Sequence, residues 1–597
     1  MNTLRRSVAL ALLLLAAAPG AAHAAGEQVM PLGDLRPGMQ CQGASVVQGT
    51  AITQFDVEIV DIIAGDAAAQ TPYILFRASG PAVDRTGIGP GFSGSPIRCP
   101  TADGSLRIAG AISLGIGEFG GLTGLATPIE SVLGEPVDVP DSVSMEPATV
   151  ARAKPIAEPL SFGGLSPAVA SAVQAAGRKV GRAIYAAPGA PSPSLFPAGP
   201  LVPGSAMAVG LSTGDLTAGA VGTVSYVDGD KLWAFGHPLD SAGRRSLFLQ
   251  DAYVHTVINN PLGIEGASSY KLASPGRTVG TLTSDGIAAV AGRLGAPPPS
   301  FPMRVAALDE DRDREQVANV QIADESKVGL PVGSSALTQV GGVAVAQLAY
   351  NALQGVPSRQ SSRMCAKIGL LEAPGKPLRF CNEYVGGGPG VEGLVGGALV
   401  ADFAAMASQL DAYRFGPLRV SGVEVYLKIR RDLRQAFLLK VRGPRTARRG
   451  GRIRLRVTAR RVNQGKAFTR TIRVRVPKGM PRGERLLSLT GTSADVATGQ
   501  NALEEVFDLG DLFGGEGAPA EGEEGPRTLK ALRARVAAIE RYDGVSAAFL
   551  PPGGVEDAFG EGSTPDGAEG IAQRARPAYR DKALRLSGSA AYALRIR

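Results

Sequence analysis

Histidine is scarce in this chain of 597 residues: there are three, and one of them, His23, lies close to the N-terminus. Cysteine is almost as rare, with four residues, Cys41, Cys99, Cys365 and Cys381, none of them in a CxxC pair. With so few soft or imidazole ligands, a structural zinc site is not expected, and neither a metal nor another cofactor is called for. Aromatic residues make up 5% of the chain, and beyond the first twenty residues no apolar run is long enough to span a bilayer. What the chain has in quantity is glycine and proline, with 79 and 43 residues, and only modest charge. That profile excludes long helical bundles and favours many short strands joined by tight turns. The length calls for about three or four domains.

The N-terminus carries an export pattern. Arg5 and Arg6 precede an apolar run from Val8 to Ala18, Pro19-Gly20 breaks it, and Ala22-His23-Ala24 supplies small residues around a cleavage site before Ala25. The run is shorter than the roughly 20 residues of a spanning helix, and no lipobox cysteine follows. Residues 1–24 are therefore expected to be a signal peptide, and the mature protein to be periplasmic or secreted. In an oxidising compartment four cysteines point to disulfides. Of the three pairings open to them, the local one is favoured: Cys41 with Cys99 and Cys365 with Cys381.

Residues 25–134 read as a compact β unit. Within Ile52 to Ile63, Phe55, Val57 and Ile59 fall on one face and Asp56 and Glu58 on the other. Residues 135–205 form a Pro-rich linker around a short helix that starts at Ser166-Pro167, with Ser166 placed to cap it. A second β unit, 206–300, contains a strand running to Asp228-Gly229 and a return strand that delivers Gly236-His237-Pro238. Residues 301–414 are mixed, with helices expected over Val328 to Leu353 and Gly393 to Leu410. A β-sandwich is expected over 415–480, and 481–597 is a C-terminal segment with an acidic, Gly-rich loop.

Net charge is +8, and much of the excess lies between Lys428 and Arg475. Arg452-Ile453-Arg454-Leu455-Arg456-Val457 alternates cation with apolar residue, as a half-buried strand does. Its arginine face fits either ordinary solvation or a polyanionic partner such as lipid head groups or nucleic acid. No aromatics are interleaved, so specific nucleic-acid binding is not expected.

The sharpest local signal is Gly91-Phe92-Ser93-Gly94-Ser95-Pro96. A serine nucleophile needs a tight turn that exposes its oxygen and backbone N–H groups aimed at the developing oxyanion, and flanking glycines permit such a turn. The segment resembles the GDSGGP of the chymotrypsin-like superfamily, which implies oxyanion donors at the Gly91 and Ser93 N–H groups. Phe92 replaces the acid of that motif, which argues against activation by a freed N-terminus. Such a serine also needs a base, and after residues 1–24 the histidines available are His237 and His255. His237, just beyond a strand, suits that role, whereas His255 lies within a strand pattern and reads as structural.

Several ordered motifs then resemble the SpoIVB-type serine peptidase family. They are Phe55-Asp56-Val57-Glu58-Ile59-Val60, Asp84-Arg85-Thr86-Gly87, the GFSGSPI stretch and Ala109-Gly110-Ala111-Ile112. Gly222-Thr223-Val224, Phe235-Gly236-His237 and Val279-Gly280-Thr281-Leu282 follow. The resemblance implies a mainly β fold of two chymotrypsin-like barrel halves, followed here by a helical segment and the C-terminal β-sandwich. It implies a serine endopeptidase or autoprotease using Ser93 and His237 on a polypeptide substrate, which could be the chain itself. Two departures stand out. The serine block precedes the histidine block, a permuted order. The family's acid position reads Gly80-Pro81, leaving Asp84, Asp240, an acid from elsewhere, or a Ser-His dyad. The alternative function is an inactive peptidase-fold scaffold that binds a protein or polyanion of the cell envelope.

Overall fold

The structure, a computed structural model, describes residues 26–63, 72–116, 121–138, 160–181, 183–186, 196–259, 269–330, 336–354, 359–386, 395–413, 415–416, 418–462, 464–491, 502–507, 525–539, 541–550, 579–581 and 584–597. The export pattern, residues 139–159 and 187–195 of the linker, and the acidic loop lie outside these residues.

Strands β1 (Gln40–Val46), β2 (Ile52–Ile63), β3 (Tyr73–Ser79), β4 (Pro96–Pro100), β5 (Leu106–Ile116) and β6 (Thr123–Pro128) close into a barrel in the order β1-β2-β3-β6-β5-β4. The alternation in β2 drives this: Phe55, Val57 and Ile59 are buried in the barrel with Phe76, Phe92 and Ile97. Cys41 and Cys99 form a disulfide that fastens β1 to β4, the two strands at the closing seam.

Two short strands, β7 (Leu160–Gly163) and β8 (Ile184–Ala186), flank the helix Pro167–Lys179. Ser166 stands at the N-cap, but its hydroxyl makes no capping bond; its N–H and hydroxyl both reach Gln347 Oε1, at 2.9 and 3.3 Å.

A second ring follows: β9 (Ala206–Gly214), β10 (Thr217–Asp228), β11 (Lys231–Ala234), β12 (Gly243–Ile258), β13 (Tyr270–Asp285) and β14 (Val290–Leu294). Their pairings run β9-β10-β11-β14-β13-β12 and return to β9. Counted within each ring, both orders are one-two-three-six-five-four.

The second ring's sheet is extended beyond β9 by β15 (Ser300–Asp309), β16 (Arg314–Ala323), β17 (Gln360–Leu370), β18 (Leu378–Gly386) and β19 (Val420–Arg430), ordered β18-β17-β19-β15-β16. The helices Ala336–Leu353 and Val395–Ser408 pack against one another and over this extension. The first is apolar around nearly its whole circumference and is buried accordingly. Cys365 and Cys381 lie directly opposite on β17 and β18 and are disulfide-bonded.

The rest of the chain forms β20 (Gln435–Arg442), β21 (Thr446–Ala447), β22 (Arg452–Arg461), β23 (Ala467–Arg475), β24 (Gly483–Thr490), β25 (Gly544–Leu550), β26 (Tyr579–Arg580), β27 (Arg585–Ser587) and β28 (Ser589–Ile596). A four-stranded sheet, β23-β22-β20-β27, and a five-stranded one, β21-β28-β24-β25-β26, contribute to one apolar cluster that includes Leu455, Ile472, Leu487 and Phe549. This corrects the boundary expected at 415–480. β19 is committed to the large sheet by its pairing with β15 and β17, and the Arg-rich strands share their core with strands from 483–596.

Candidate active site

Ser93 lies in the connection between the third and fourth strands of the first ring, and His237 lies in the connection between the third and fourth strands of the second. The two connections meet on one residue of β10. The Thr223 N–H donates to the Ser93 carbonyl at 2.8 Å, and the Thr223 carbonyl accepts from the Phe235 N–H at 3.3 Å. Close approach at this seam demands glycine. Gly94 has φ 90°, and a Cβ there would drive into the Thr223 carbonyl oxygen. Gly236 has φ 67°, and a Cβ would lie 2.9 Å from the Ile112 carbonyl oxygen of β5.

The serine turn is anchored through its carbonyls. Pro90 O accepts from the Lys271 N–H at 3.0 Å, and Phe92 O accepts from the Ser95 N–H at 2.9 Å and the Ser95 hydroxyl at 2.6 Å. A trans peptide holds its N–H opposite its C=O. Fixing these two carbonyls therefore fixes the Gly91 and Ser93 N–H groups, which point away from those anchors. Among the described residues, neither of these N–H groups has an acceptor. Buried N–H groups are rarely left unfilled, and here two of them lie in one turn beside a serine that is only 7% exposed.

Behind the turn sits a buried ammonium. Lys271 is 2% exposed; its Nζ donates to Ser45 Oγ at 2.6 Å and Thr223 Oγ1 at 3.2 Å, and stands 4.5 Å from the centre of the Phe92 ring. Thr223 Oγ1 donates in turn to Gly91 O at 2.9 Å, and Ser95 Oγ, whose hydrogen goes to Phe92 O, lies 2.9 Å from the Ser45 hydroxyl. This network of one cation and three hydroxyls holds the rear of the turn from both rings.

His237 is delivered by two successive left-handed residues, Phe235 at φ 69° and Gly236. A buried phenylalanine in that region is strained, and the surroundings enforce it. The ring Nδ1 lies 2.7 Å from Pro238 O. A carbonyl can only accept, so Nδ1 carries the proton, and Nε2 is the basic nitrogen of the neutral ring. Among the described residues, no direct hydrogen bond joins the Ser93 hydroxyl to His237; such bonds often tighten only when substrate arrives.

The loop after His237 is tied down by Asp285, at the end of β13. This fully buried carboxylate accepts from the N–H groups of Leu239, Asp240 and Ala242 at 2.7, 2.8 and 3.1 Å. Burial pushes its pKa up, against the pull of the Arg245 guanidinium 3.5 Å away. Arg245 also pairs with Glu325 and Asp240, at 2.8 and 3.0 Å. Burial works against the Arg245 charge, but the three carboxylates outweigh it and hold its pKa above the ordinary value.

The acids considered from sequence are placed differently. Asp84 is exposed and caps its own turn through Gly80 N–H at 2.8 Å, and Asp240 is engaged with Arg245. Neither is hydrogen-bonded to His237. His255 is half-buried in β12 with Nε2 2.9 Å from Ser274 Oγ, and burial lowers its pKa. Asp285, Lys271 and Ser45 went unread in the sequence, and Thr223 entered only as part of the Gly222-Thr223-Val224 motif. The only signal for Asp285 was an acid ending a strand, before Gly286.

Comparison with family models, curated proteins and solved structures returns no match for this chain.

Proposed function

We propose that the chain is an exported serine endopeptidase or autoprotease with a permuted, chymotrypsin-like pair of barrels. The observation that carries this reading is that Ser93 and His237 occupy the same connection in two rings of identical strand order, and that these connections meet on Thr223 through Ser93 O and Phe235 N–H, with the Gly91 and Ser93 N–H groups unfilled. The motif resemblance and the two disulfides, which suit an oxidising compartment, support it as well.

In this mechanism His237 Nε2 takes the Ser93 hydroxyl proton while Oγ bonds to the scissile carbonyl carbon of a polypeptide. The carbonyl oxygen becomes an oxyanion held by the Gly91 and Ser93 N–H groups. The imidazolium returns its proton to the leaving amine as the C–N bond breaks, leaving an acyl-enzyme on Ser93. Water, deprotonated by His237, then releases the acid. Asp285 acts at one remove: it holds the 239–242 loop and so the position of the imidazole.

The test is labelling of the purified mature chain with a fluorophosphonate, beside Ser93→Ala and His237→Ala. Labelling that is lost in Ser93→Ala and falls at least about a thousandfold in rate in His237→Ala is expected. A folded wild-type chain that stays unlabelled would favour the inactive scaffold.

A further inference from the structure

The four-stranded sheet at the C-terminal end carries a charge pattern that folding does not require. Between residues 433 and 483 there are seventeen Lys and Arg and no Asp or Glu. On β22 the inward residues Ile453, Leu455 and Val457 are buried, so Arg452, Arg454 and Arg456 stand outward and exposed. The register sets like charges directly opposite: Arg452 faces Arg475, Arg454 faces Arg473, and Arg456 faces Arg442. Such pairs destabilise a sheet. Among the described residues, none of these six arginines has a carboxylate within ion-pair distance.

Protection of an exposed edge could account for cations on β23, the last strand of the sheet. It does not account for β22, which is paired on both sides, by β20 and β23. An ordinary solvated face mixes both signs of charge. This one repeats a single sign at about 4.8 Å across strands and about 6.8 Å along them.

We propose that this face docks the protein on an anionic lipid bilayer. The outward positions of β22 and β23 are arginine, threonine and alanine, with no aromatic to stack on a base. A grid of guanidinium groups, each able to grip a phosphate through two N–H bonds, matches a planar array of head-group phosphates. The face lies on a unit whose core is separate from those of the two rings, so the proposal stands whether or not Ser93 is a nucleophile.

The experiment is co-sedimentation of the full mature chain with vesicles of phosphatidylcholine alone or with phosphatidylglycerol, between about 50 and 500 mM NaCl. Double-stranded DNA and heparin are titrated in parallel. Binding to phosphatidylglycerol vesicles only, weakening steeply with salt, is expected. Arg452→Gln/Arg454→Gln/Arg473→Gln should weaken it roughly a hundredfold. A control that removes the same charge elsewhere, Arg304→Gln/Arg379→Gln/Arg419→Gln, should leave it within about threefold. Should the triple variant not fold, Arg454→Gln alone is expected to cost about fivefold. Failure of the folded wild type to pellet with anionic vesicles would overturn the proposal, as would equal losses in the two triple variants. Tight binding to DNA or heparin without vesicle binding would also overturn it, identifying a soluble polymer as the partner.

Discussion

The two rings share a strand order and present the same connection at the seam, but they stiffen it by opposite means. In the first ring the connection is a glycine turn whose carbonyls are held by hydroxyls around one buried ammonium, and a disulfide closes the barrel. In the second, the connection is held by a buried carboxylate that belongs to a four-member charge cluster, and no disulfide is present among the described residues. The difference follows from what each loop must offer. On the peptidase reading the Gly91 and Ser93 N–H groups must stay open for an oxyanion, so those two peptides are held through Pro90 O and Phe92 O, while Phe92 N–H and Gly94 N–H bond Gly89 O and Ile112 O. A loop that presents a side-chain base can give up its backbone N–H groups, and a carboxylate collects three of them.

The largest effect that would break this contrast is in the second ring. Asp285→Ala removes a fully buried carboxylate from the cluster, leaves three N–H groups bare and unbalances Arg245. It is expected to destabilise the protein by about 3–5 kcal/mol in urea denaturation. Asp84→Ala, in an exposed turn, should stay within about 1 kcal/mol. Equal effects would remove Asp285 from its anchoring role.

Next comes the staple of the first ring. Replacing Cys41 and Cys99 together by serine is expected to lower stability by about 2–4 kcal/mol, seen as a lower Tm, because a loop of 58 residues regains its freedom in the unfolded chain. A smaller and sharper test is Lys271→Met, which removes the cation behind the oxyanion turn. Fluorophosphonate labelling should slow about tenfold with the far-ultraviolet circular dichroism unchanged, since the turn keeps its backbone anchor at Pro90 O but loses the donor to Ser45 and Thr223. Unchanged labelling would make Lys271 a packing residue only.

Much of this arrangement could be read before the structure. The period-two pattern of β2 and β22 gave correct inward faces because a strand exposes alternate residues whatever its partners. Ser93 and His237 could be singled out as candidates because glycines mark turns locally and because histidine is so scarce, and the structure sets both in corresponding connections. Asp285 and Lys271 could not be singled out. Each sits 34 to 48 residues from His237 in the chain, on a strand whose register with the seam depends on ring closure, and no local pattern encodes that. The domain boundary at 415 failed for the same reason: β19 looks like its neighbours in sequence, but its pairing with β15 and β17 is decided by distant chain.

Thr223 has a consequence in time as well as in space. On the peptidase reading, synthesis completes the serine ring while its general base is still unmade, for His237 follows Ser93 by 144 residues. Only when β10 has formed can the Thr223 peptide join the two connections. On that reading an emerging chain stays inert until its second ring has formed.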